Sequence, residues 1–174
     1  PPRSTLFPYT TLFRSTLLAV TPLVLMVHPS VPATNLQELL AWLRAQSGKA
    51  TYASQAVGST GHLAMELFKS LTGVEATHVP YRGSAAQAAT DLVAGRVAMS
   101  FVNTSTTIAY LQKGALRAIA VAEKRRIAAL PDLPTLDESG LSGFEATAWI
   151  GLGTRAVAAE NVVLQVAQDA TQAL

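Results

Sequence analysis

Residues with chemical potential crowd into one stretch, "YASQAVGSTGHLAMELFKSLTG", Tyr52 to Gly73. Ser54, Ser59 and Thr60 bring hydroxyls, Gly58 and Gly61 permit close approach or unusual backbone angles, and His62 stands in the first turn of an amphipathic helix. The first amides of a helix lack intrahelical partners and lie at the positive end of its macrodipole. An anion is the natural guest of such a turn. The same serine or threonine can instead simply cap its own helix.

His62 admits three readings: a ligand-contacting donor, a general base, or an ordinary helix residue. With Glu66 four residues on it can share a metal on one helix face, but only if further ligands join at suitable spacing. "AVGSTG" does not match the Gly-x-Ser-x-Gly nucleophile elbow. Neither a Gly-x-Gly-x-x-Gly nor a Walker pattern occurs, so no cofactor is called for.

A second stretch, "VPYRGSAAQAATDL", repeats this logic, with Tyr81, Arg82, Gly83 and Ser84 between a strand end and another helix. Two such ends at one edge of a parallel sheet make a polar cleft beyond the carboxyl ends of the strands. Asn103, after the strand "AMSFV", is a third strand-end residue that can reach it, although turn-making is the commoner use of asparagine.

The elements that must position these groups follow from the pattern. Leu23–Val27 reads as a buried strand; Thr34 or Asn35 caps a helix with Leu36, Leu39, Leu40 and Leu43 on one face, ending before Gly48. Short strands are expected at residues 50–53, at "ATHVPY", at "VAMSFV" and at "LRAIAVA". Helices are expected at 61–71, 85–94 and 106–112. This β-α rhythm with short connections marks a layered α/β domain. "AALPDLPTLDESGLSGF" reads as an ordered loop with a helical turn at Leu136–Ser139, "EATAWIGLGT" as extended, and Ala158–Leu174 as a helix.

Composition narrows the class. The chain has 174 residues, 49% hydrophobic and 14% charged, enough to bury a core. A net charge of +2, with no basic stripe or aromatic platform, argues against nucleic acid. Lys124-Arg125-Arg126 is expected as a solvated helix end. The absence of cysteine removes disulfides, thiolate catalysis and Cys-based zinc sites. "LLAVTPLVLMV" is too short to span a bilayer.

Residues 1–15, "PPRSTLFPYTTLFRS", sustain no period, resemble translated sequencing-adapter remnants, and are set aside as a non-native assembly scar. With the final helix still running at Leu174, the chain reads as truncated at both ends.

From Thr21 to Leu152 the motifs "YASQAVGSTGHLAMELF", "THVPYRGSAAQAATDLVAGRVAMSFVN" and "ALPDLPTLDESGLSGFEATAWIGL" resemble those of the tripartite tricarboxylate transporter substrate-binding proteins, the Bordetella uptake gene family. The resemblance implies a two-lobed α/β fold of the type II periplasmic binding protein kind. One lobe would be complete at 28–145. Fragments of the other would lie at 16–27, with a hinge strand, and at 146–174. It implies a non-enzymatic, periplasmic protein, monomeric when full length and not membrane-spanning, that hands a small carboxylate to membrane transporter subunits. It points to Ser54, Gly58, Ser59, Thr60, His62, Tyr81 and Gly83 as ligand-binding residues, beside Asn103 from the cleft argument, and to no metal.

The chain departs from that pattern at Ala56, where glycine is usual, and at Val102, where aspartate is common; the proline-containing entry to the last helix is also missing. The opposing Gly-rich loop and the signal peptide are not expected within this fragment, so weak binding by the chain alone is expected. Two alternatives are a regulator's ligand-sensing domain, which requires a DNA-binding segment upstream, and a small serine hydrolase using Ser59 or Thr60 with His62.

Overall fold

The computed structural model describes residues 13–155 and 159–172. Its elements are β1 (Phe13–Val27), α1 (Leu36–Gln46), β2 (Thr51–Ser54), α2 (Thr60–Thr72), β3 (Thr77–Pro80), α3 (Ala85–Val93), β4 (Met99–Asn103), α4 (Thr104–Gln112), β5 (Arg117–Val121), β6 (Thr147–Arg155) and α5 (Glu160–Gln172). β1 takes in Phe13–Ser15, the last three residues of the stretch expected to be a non-native scar; residues 1–12 lie outside the described residues.

The chain divides into two compact units. The larger is Thr21–Ala148; the smaller holds the described residues before Thr21 and after Ala148. The sequence places the corresponding boundaries at 27/28 and 145/146. In the smaller unit lie the start of β1, most of β6, which pairs with β1, and α5, where Val163 is buried.

In the larger unit the strand order is β3-β2-β4-β1-β5. Leu23–Val27 forms its fully buried spine, and alternation along the strand separates two cores. Leu23, Leu25 and Val27 face Leu36, Leu39 and Leu43 of α1 and Ala64, Met65 and Phe68 of α2. Val24 and Met26 face the other way, toward Ala88 and Leu92 of α3 and Leu116. A continuous apolar run is what a strand covered on both faces requires.

The sheet is mixed rather than parallel. β2 runs parallel to β3 and β4, while β1 pairs antiparallel with both β4 and β5. Helical crossovers between β2, β3, β4 and β5 return the chain to the same end each time, so those strands share a direction. β1 enters from the other unit and runs against them.

Helix ends follow their capping residues. Of the two candidate caps the helix uses Asn35, whose Oδ1 accepts the Glu38 N–H at 2.9 Å, while Glu38 Oε2 reaches back to accept the Thr34 N–H at 2.7 Å. The Ser59 side chain caps α2, and Gly73, at φ 67°, closes it. α4 starts at Thr104, earlier than the pattern indicated, because Asn103 at the strand end is its N-cap residue. Lys124–Arg126 lies in an exposed bend after β5 rather than at a helix end, pairing with Glu145 and Glu138. The turn at Leu136–Ser139 is fastened by Thr135, which caps Glu138 and bridges Val121.

Candidate functional site

β2, β3 and β4 are neighbours running the same way, and each is followed at its carboxyl end by a helix. Those three helix N-termini meet at a cavity of about 160 Å³. α2 contributes Thr60 and Gly61, α3 contributes Ala85, Ala88, Ala89 and Leu92, and α4 contributes Thr106. Ser54 and Gln55 line it from the end of β2, Ser100–Asn103 from β4, and Leu23 and Ala148 complete it. No lining residue carries a charge. Positive potential there arises from the helix ends and their unpaired amides.

The first turns are built for approach. A Cβ on Gly61 would lie 3.1 Å from the Phe101 carbonyl oxygen, so any other residue here would push α2 and β4 apart by a few tenths of an ångström. Thr60 is exposed, and its hydroxyl has no partner among the described residues. Asn103 makes no side-chain capping bond, which leaves the amides of the first turn of α4 without a side-chain acceptor.

Ser54, Thr60 and Asn103, expected from sequence, thus share the cavity wall. The other expected residues stand outside it and shape the loops. Ser59 Oγ donates to Ala56 O at 2.8 Å and accepts the His62 N–H at 3.4 Å, so its hydroxyl proton is turned into the loop rather than toward a ligand. Gly58 holds φ 79°, and its N–H donates to His62 Nδ1 at 3.2 Å. Gly83, at φ 90°, donates its N–H to Gln55 O and ties the β3–α3 loop to the β2–α2 loop. The Tyr81 hydroxyl donates to Asp91 Oδ2 at 2.8 Å. Burial, then this carboxylate, pushes the phenol up to about 12, while Tyr81 and then Arg96 hold Asp91 below its usual value.

These contacts bear on two readings of His62. Its ring accepts from Gly58, and Ser59 meets its backbone rather than its imidazole, so no nucleophile–base pair forms. Glu66 accepts from the Tyr52 hydroxyl at 2.6 Å and Lys69 Nζ at 3.0 Å, and it is drawn below its usual pKa first by Tyr52 and then by Lys69. Among the described residues no group of three potential metal ligands assembles.

Sequence reasoning missed Gln55, Ser100, Thr106 and His78. The Ser100 hydroxyl donates to Ala53 O at 2.9 Å, inside the sheet. His78 stacks on Tyr52 at 4.7 Å and lies 4.3 Å from the His62 ring, with Nε2 2.6 Å from Ser54 Oγ. It pairs in register with Tyr52 across β2 and β3, a relation that local sequence cannot show.

An α/β lobe with a neutral cavity at the carboxyl ends of its strands defines the class: a periplasmic-binding-protein fold. The family profile described as tripartite tricarboxylate transporter family receptor matches residues 4–174, and the chain belongs to that family, one of receptors rather than enzymes. BugT of Bordetella pertussis is 35% identical over 131 residues, covering 75% of this chain and 40% of its own length. R. palustris Rpa4515, solved with adipate, superposes with a TM-score of 0.88 at 35% identity, over 94% of this chain and 55% of its own. MatC (Rpa3494) from Rhodopseudomonas palustris, solved with bound malate, gives 0.85 at 26% identity, over 92% and 55%. The chain therefore spans about half the length of these relatives or less.

Proposed function

We propose that this chain is the ligand-holding lobe of a periplasmic solute-binding protein that captures a small carboxylate for a tripartite tricarboxylate-type membrane transporter. The observation that carries the reading is the meeting of three helix N-termini at a cavity free of charged side chains. A carboxylate there is held by amides and the Thr60 hydroxyl, with Asn103 beside it, and needs no cationic side chain. Adipate in Rpa4515 and malate in MatC support the ligand class. No described helix is long and apolar enough to cross a membrane.

The test is an amide-resolved NMR titration of the 174-residue chain with adipate, malate and adipamide, the neutral diamide of matching length. Saturable shifts of Thr60, Gly61 and Thr106 with the acids, and none with adipamide, are expected. Equal response to adipamide, or shifts confined to residues away from the cavity, would overturn the reading.

A further inference from the structure

Ser54 has one hydroxyl proton and two close partners. Its Oγ lies 3.0 Å from Ala56 O and 2.6 Å from His78 Nε2, and the residue is only 3% exposed where it lines the cavity. A carbonyl can only accept. Both contacts are therefore satisfied together only if His78 carries a proton on Nε2 and donates to Ser54 Oγ, leaving the Ser54 proton for Ala56 O.

The Ala56 carbonyl is already well served. It accepts from Ser59 Oγ at 2.8 Å and from the Ser59 N–H at 3.2 Å. Swinging the Ser54 proton away from it leaves no orphaned acceptor, so the hydroxyl is free to turn into the cavity. With the opposite tautomer, bare Nε2 would hold the Ser54 proton, and Ser54 would offer only lone pairs, which repel a carboxylate.

We infer that His78, itself outside the cavity, is a positioning residue whose Nε2–H holds Ser54 Oγ and thereby turns the Ser54 hydroxyl into a donor for the bound carboxylate. The inference rests on the carboxylate reading and deepens it. The ring is held in place by Tyr52 of β2 on one side and by His62 of α2 near it. Burial first, then His62, with Lys69 adding a smaller effect, lower its pKa against the opposing pull of Glu66, so the neutral ring persists below the usual histidine range. Protonation at acid pH keeps the Nε2–H and adds positive charge behind Ser54. The groups facing the ring are Tyr52, Ser54, His62, Glu66 and Lys69.

The experiment combines the His78 tautomer, read from ring nitrogen shifts of the labelled full chain, with adipate affinities of four variants. Expected are an Nε2–H ring, a loss of about tenfold in both His78→Phe and Ser54→Ala, and no further loss in the double variant, because each removes the same donated bond. His78→Gln, whose amide can donate, stays within about twofold of the unsubstituted chain. An Nδ1–H ring overturns the inference whatever the variants do. So does full affinity in His78→Phe, or losses that simply add in the double variant. Failure of the unsubstituted chain to bind either adipate or malate sinks the carboxylate reading itself, a result distinct from binding that ignores His78.

Discussion

Removing one oxygen, by Tyr52→Phe, tests how the polar network beside the site is held. The Tyr52 ring is fully buried, and its hydroxyl donates to Glu66 Oε1 at 2.6 Å, the length of a bond to an ionised carboxylate. Phenylalanine keeps the stack on His78 and the Lys69 ammonium 6.0 Å above the ring, so the change isolates the hydroxyl. A hydrogen bond to a charged group contributes about 1.5–3 kcal/mol. Glu66 is 44% exposed and keeps Lys69 as a partner, so solvent screening and the absence of an orphaned group bring the expected cost to about 1 kcal/mol near neutral pH.

The pH dependence is the sharper readout. Glu66 has a folded pKa below its ordinary value, chiefly through Tyr52, so the folded state binds its proton less readily than the unfolded chain. Its stabilisation is complete above the ordinary carboxylate pKa and is lost as pH falls through the depressed one. Tyr52 is raised, by burial first and Glu66 second, so its contribution is complete below the ordinary phenol pKa and is lost as pH rises beyond it. Tyr52→Phe should flatten both limbs. Urea unfolding followed by circular dichroism at about pH 4, pH 7 and pH 10.5 should show the gap between the two proteins greatest at neutral pH. A gap that stays constant across that range would falsify the assignment of the bond to an ionised Glu66.

Two further substitutions probe the scaffold. Phe68→Ala empties a fully buried site whose ring stands edge-on to Phe101 at 6.3 Å, with Phe101 stacked on Phe144 at 5.9 Å; a loss of about 3–5 kcal/mol in urea unfolding is expected, and a loss under about 1 kcal/mol would show that this aromatic row is not a packing centre. Gly61→Ala must move either α2 or the Phe101 carbonyl, whereas alanine favours helix by up to about 1 kcal/mol, so stability should change little while adipate binding weakens; unchanged affinity in a calorimetric titration would show that the close approach is not needed for the site.

Much of the scaffold was legible because its signals are local. Leu23–Val27 announced a strand by an unbroken apolar run, Asn35 and Ser59 marked helix starts, and Gly73 and Gly95 marked helix ends. Thr60 and Asn103 were readable as cavity residues because strand-end position follows from the same pattern. The direction of β1 was not, since it depends on where the chain enters from. Nor were the commitments of Ser59 and Tyr81, whose hydroxyls find Ala56 O and Asp91 only once the loop and α3 have formed. His78 was invisible for the same reason: its meaning lies in the pairing of Tyr52 with His78 and in the 2.6 Å approach to Ser54, both products of strand register.

The uncharged cavity wall has a kinetic side. An arginine or lysine in such a place would need to be rehydrated each time its anion departs, and that step would lengthen the ligand's residence. Backbone amides at helix ends have no such partner to lose, and their orientation is set by the helices that carry them. On the carboxylate reading, this lobe trades grip for turnover: it meets an anion with nothing larger than a hydroxyl rotation and lets it go without stranding a counter-charge, as a protein that must give up its cargo requires.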